Sequence, residues 1–181
     1  MGKTERLKLK GKDEFALLDF DSSRLKGKEI LSAYLYCCNS NPLKEVIRLG
    51  LDDRPDCLGD IGVSTVASEW VEGESSLPYI MDRSGAGASF NEASTGKAPW
   101  AWKGSTVVDV LFGNGFGRYS INRRRVAGGN WWWVKVDPEV IEAVVSGKSD
   151  GVAIFDMSST SGWGAPNSYI FSRESGNQGP Y

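Results

Sequence analysis

Apolar residues in this chain arrive in short runs of about six to ten, each closed by a turn cluster, and this spacing limits the fold more than any other feature. Asp13 to Asp21 reads DEFALLDFD and Glu29 to Cys38 reads EILSAYLYCC. Further runs are EVIRLGL (45–51), IGVSTVA (61–67), TVVDVL (106–111), WWWVKV (131–136), GVAIFD (151–156) and SYIFSR (168–173). Strands of this length suit β structure, and no run reaches the roughly 18 apolar residues of a membrane helix. DEFALLDFD is apolar on both faces, as expected of a strand near a sandwich centre. Gly113, Gly115 and Gly117 are expected to break the chain between two strands.

One segment reads as helix, Pro138 to Ser146. Asp137 suits the N-cap, Pro138 the first helical position and Gly147 the left-handed residue after the end. Val140, Ile141, Val144 and Val145 form its apolar stripe. About eight or nine short strands with one brief helix predict an all-β, antiparallel jelly-roll sandwich. The 181 residues fit a single module, 1–181.

Composition excludes several functions. The chain has no His, so Ser-His-Asp and Cys-His catalysis is excluded and an ordinary zinc site is not expected. Glu69, Glu72, Glu74, Asp82 and Glu92 surround a loop region, but no spacing pairs two of them for glycoside hydrolysis. The net charge of −2 provides no field to draw in nucleic acid. Cys37 and Cys38 point to opposite strand faces, and with Cys57 they make an odd set rather than a disulfide framework. The start, Met1-Gly2-Lys3-Thr4, is followed by charge rather than an apolar signal region.

Four ordered segments carry a resemblance. ALLDFDSSRLKGKEILSAYLYC, VASEWVEGE, WWWVKVDPEVIEAVVSGKSDGVAIFD and SYIFSRESGNQGPY resemble the DNRLRE-type, disaggregatase-related modules, over roughly residues 14 to 181. The resemblance implies a jelly-roll sandwich similar to carbohydrate-binding modules. It also implies a bacterial or archaeal, extracellular or cell-surface setting beside other domains of a parent protein. Modules of this type carry outer strands before Arg6-Leu7-Lys8-Leu9 and after Pro180-Tyr181, so this chain is expected to be cut from a longer secreted protein and to lack an outer strand.

The leading expectation is therefore a non-catalytic module for a polysaccharide, acidic in the best case. Sugar rings stack apolar C–H faces on aromatic rings carried by glycine-rich loops. Trp100, Trp102 and Trp163 fit, with Tyr79 and Phe90 as weaker candidates. Trp70 reads as core. In WWW, Trp131 and Trp133 share one face and Trp132 takes the other. Arg118, Arg123 and Arg125, beside Tyr119, could fork onto carboxylates. Arg173 and Glu174 are expected to point apart at a strand end. Asp21, Asp150 and Asp156 sit where a structural calcium could bind, though no ligand spacing specifies one. The competing expectation is a structural or adhesion sandwich whose exposed aromatics are few and whose open sheet edge pairs with another protein.

Overall fold

The structure, a computed structural model, describes residues 4–11, 14–40, 58–74, 87–126, 129–158 and 168–181, with backbone alone at 123–126 and 129–130. The strands are β1 (Arg6–Leu9), β2 (Ala16–Leu18), β3 (Ala33–Asn39), β4 (Asp60–Val66), β5 (Leu111–Ser120), β6 (Asn122–Val126), β7 (Gly129–Val136), β8 (Val152–Asp156) and β9 (Ser168–Phe171). One helix, α1 (Pro138–Val145), joins β7 to β8. The expected run 45–51 lies outside the described residues.

Two antiparallel sheets form, ordered β1-β9-β3-β7-β6 and β2-β8-β4-β5. Their facing residues make one core. Leu9, Leu35, Cys37, Trp132, Val134 and Ile170 from the first sheet meet Leu18, Ile61, Val63, Val152 and Ile154 from the second. The chain is thus the all-β sandwich expected. Trp132 is the largest fully buried side chain among the described residues, and its indole N–H donates to Asn39 Oδ1 at 2.8 Å. That bond satisfies the one polar atom the ring carries inside.

A second core lies on the outer face of the four-stranded sheet. Val66, Ala93, Trp100, Val107, Val110, Leu111, Ala153 and Phe155 pack there, with Phe15 and Leu17 against them. This explains a departure from the sequence reading. β2 is apolar on both faces, yet it is an edge strand rather than a central one. Its second apolar face is covered by the 88–110 loop region rather than by another sheet.

Two further expectations fail nearby. TVVDVL does not begin as a strand: Val107–Val110 is a 3-10 turn, and β5 starts only at Leu111. Thr106 and Asp109 form a reciprocal capping box, with Asp109 Oδ2 accepting from Thr106 N at 2.7 Å. That local bonding overrides the β-branched residues' strand preference. Gly113, Gly115 and Gly117 do not break the chain but lie inside β5. Opposite the short step from Ser64 to Val66, β5 runs from Phe116 back to Leu111, which is a bulge. Gly115, at φ +153°, is where a Cβ would press on Val140 Cγ2 at 3.2 Å. Glycine there lets α1 pack close to the sheet.

The helix forms over Pro138–Val145, with Val140 and Ala143 buried and Gly147 at φ +75°. Asp137 occupies the N-cap position, but its side chain makes no capping bond. Its carboxylate instead accepts from Tyr119 Oη at 3.0 Å, across to β5. No helix among the described residues is long and apolar enough to cross a membrane.

Candidate functional site

The loop region from 88 to 110 carries the indoles expected to meet a sugar, and the structure separates them. Trp100 is only 3% exposed and packs in the second core. Its indole N–H donates to Ser89 O at 2.9 Å, and its carbonyl accepts from Ser68 Oγ at 2.6 Å. Both ring faces are occupied by protein, so Trp100 is an anchor and not a stacking platform. The apolar body is worth more against Val107 and Leu111 than in solvent, and Ser89 satisfies its polar tip.

Trp102, two residues on, is 59% exposed. It rides on a turn closed by one buried hydroxyl. Ser105 Oγ accepts from Ala101 N at 2.9 Å and from Trp102 N at 3.1 Å, and donates to Trp102 O at 2.7 Å. Ser105 N also donates to Trp102 O at 2.9 Å. Gly104 supplies the positive φ of +91° that the turn requires. Phe90, 53% exposed, belongs to the same region, since its carbonyl accepts from Val107 N at 2.9 Å. Pre-organised exposure of a large indole is what a stacking site needs, because little ordering entropy remains to be lost on binding.

The arginine cluster fares differently. Arg118 donates from Nε and Nη2 to Asp60 Oδ2, at 2.9 and 2.6 Å, while Ser120 Oγ donates to Asp60 Oδ1 at 2.8 Å. These bonds hold the Asp60 carboxyl below the usual carboxylate range, with Ser120 the largest cause and Arg118 next. Arg118's fork is therefore committed. Arg123 and Arg125 lie on β6 opposite Trp132 and Asn130, and Arg124 lies opposite Trp131. Positive charge next to Trp102 in the chain comes instead from the exposed Lys103, and Lys97 is exposed in the turn closed by Ser94 and Ala98. Tyr79 and Trp163 lie outside the described residues.

Arg173 and Glu174 do touch, contrary to expectation. They sit in a 3-10 turn (Arg173–Ser175) rather than on a strand, which turns both side chains one way. Arg173 Nε reaches Glu174 Oε1 at 3.4 Å, and Arg173 Nη2 reaches Glu72 Oε2 at 2.5 Å. Trp70 is partly buried against the second core, with its N–H donating to Asp150 O at 2.6 Å. Burial raises the Asp150 carboxyl above its ordinary range, and the charges of Glu69 and Asp19 add to this. Among the described residues no three His, Cys, Asp or Glu side chains group to hold a metal. Cys37 and Cys38 are buried and unbonded to each other, and burial pushes the Cys37 thiol well above its ordinary value. Cys57 lies outside the described residues.

Two aromatic surfaces escaped the sequence reading. On the outer face of the five-stranded sheet, Tyr36 stacks between Tyr181 (4.9 Å, 4°) and Trp133 (6.0 Å, 22°), and Tyr34 follows at 6.5 Å. The alternation in AYLY was the available signal. These rings spend their faces on one another as a cross-strand ladder. On the outer face of the other sheet, Phe112 sits at φ +66°, half exposed, edge-on to Phe116 at 5.1 Å. The bulge in β5 turns it outward, and the flanking glycines alone do not reveal that.

Comparison with known proteins completes the description: no family model, no curated protein and no solved structure matches this chain.

Proposed function

We propose that this chain is a non-catalytic module that binds a glycan at the Trp102 turn, within an extracellular or cell-surface protein. One observation carries the proposal: Trp102 stands out into solvent on a turn locked by Ser105, while Trp100 beneath it is fixed in the core. The resemblance to DNRLRE-type modules supports the same reading. So does the way successive strands alternate between the two sheets from β1 to β4, as a jelly roll requires.

An acidic polysaccharide is the preferred ligand. Lys103 and Lys97 would supply the positive charge, and Arg118 would not, because Asp60 already holds it. Calorimetric titration with uronate and neutral oligosaccharides tests this. Saturable binding that Trp102→Ala abolishes, and that weakens with salt, is expected. Binding unaffected by Trp102→Ala would sink the proposed site, and absence of binding across the panel would sink the function.

A further inference from the structure

The segment that follows β4 is tied down on two sides. On one side it meets the turn between α1 and β8. Asp150 N donates to Val66 O at 2.8 Å, and Trp70 Nε1 donates to Asp150 O at 2.6 Å. On the other side it carries the loop region. Val71 N donates to Ala93 O at 3.0 Å, Ala88 N donates to Val71 O at 2.7 Å, and Ser68 Oγ donates to Trp100 O at 2.6 Å. Residues 66–71 therefore link the Asp150 turn to the region that holds Trp100 and Trp102.

Three carboxylates meet at the first of these joints. The Asp150 turn lies directly against the end of β2. Gly151 sits at φ +89°, and a Cβ there would overlap Leu18 O and stand 3.2 Å from Asp19 Cα. Glu69 immediately precedes the tryptophan whose indole binds Asp150. Asp19, Glu69 and Asp150 line one cleft of about 1170 Å³. The other charged groups described on its wall are Asp21, Lys26, Glu72 and Arg173. Arg173 is held by Glu72 and Glu174, and Lys148, on the same turn as Asp150, is exposed. Among the described residues no ion pair forms to Asp19, Glu69 or Asp150. Burial and then the charges of Glu69 and Asp19 hold the Asp150 carboxyl above its ordinary range.

We infer that this joint is a pH-dependent latch: with Asp150 protonated the 66–71 segment is held shut against the α1–β8 turn, and with all three carboxylates ionised it opens more often and loosens the loop region it carries. Opening separates the carboxylates and returns Asp150 to water. The open state thus favours the charged form and the closed state the protonated one, so closure strengthens as pH falls through the Asp150 titration. The opening is local, confined to a few exposed-loop hydrogen bonds rather than to the main core. It needs no ligand, so the inference stands apart from glycan binding.

Amide hydrogen exchange of the full chain tests it at Val71 and Ala88. Parent and Asp150→Asn are compared at each pH, so that the intrinsic pH dependence of exchange cancels. Above neutral pH the parent is expected to exchange both amides several-fold faster than Asp150→Asn, up to about tenfold for each unit by which the carboxyl is raised. The two proteins are expected to converge as the Asp150 carboxyl protonates. Glu69→Gln removes one neighbouring charge and is expected to bring the parent part of the way toward Asp150→Asn. Equal exchange of parent and Asp150→Asn at every pH, or a difference that does not change with pH, would overturn the inference. So would a difference confined to core amides such as Val134, since the carboxylates would then part only on global unfolding.

Discussion

Truncating the two loop indoles separately should give opposite results, although they lie two residues apart. Trp100 is 3% exposed, hydrogen-bonded to Ser89 and packed in the second core. Removing a buried Trp costs its transfer free energy plus the cavity left behind, about 3–5 kcal/mol. For a domain of this length that corresponds to a melting temperature lower by roughly 6–20 °C, at 2–4 °C per kcal/mol. Trp102 is mostly in solvent, so Trp102→Ala should change stability by about 0.5 kcal/mol or less. Urea unfolding of both variants measures this. Because Trp100→Ala could leave little folded protein, Trp100→Phe serves beside it. It keeps most of the packing, loses the bond to Ser89 and should cost about 1–2 kcal/mol. Glycan titration then supplies the second axis: Trp100→Phe should bind normally and Trp102→Ala not at all. The reasoning is refuted if Trp102→Ala destabilises by about 2 kcal/mol or more, or if Trp100→Phe is fully stable yet fails to bind.

Other perturbations follow from named contacts. Ser105→Ala removes three hydrogen bonds but keeps the backbone bond from residue 105 to Trp102 O, so a loss of about 1–2 kcal/mol and weaker glycan binding are expected by calorimetry. Asp150 has a raised folded pKa, so its charged form destabilises the fold and its contribution falls as pH rises through that value. Asp150→Asn should therefore melt higher than the parent at pH 7, with the difference vanishing below the ordinary carboxylate range near 3.9. Asp60 runs the other way: its lowered pKa gives stability present above that ordinary value and lost as pH falls through the folded one. Asp60→Asn should flatten acid unfolding in that window, by under about 1 kcal/mol, because Arg118 is more than half exposed.

Much of the sandwich was legible because burial imposes a period of two. In WWWVKV the alternation put Trp132 on the face opposite Trp131 and Trp133 without saying which is core; the structure buries Trp132 and leaves Trp131 and Trp133 part-exposed. The helix was legible from Pro138 and Gly147, whose backbone preferences act locally. What was not legible depended on distant partners. Asp137 looked like a cap, but Tyr119 on β5 reaches its carboxylate, and nothing local announces that. β2 looked central because a loop region 70 or more residues later covers its outer face. Trp100 and Trp102 share the same composition of neighbours, and their opposite fates turn on Ser89 and Ser105, which single-sequence periodicity does not weigh.

The central claim is that a β-sandwich presents Trp102 to a glycan. The most direct test follows the indole N–H resonances of the tryptophans during titration with uronate oligosaccharides. The account predicts a saturable shift of the Trp102 signal, with Trp100 and Trp132 held still by their bonds to Ser89 and Asn39. A shift at Trp100 or Trp132 with Trp102 unmoved, or no shift with any glycan, would contradict it.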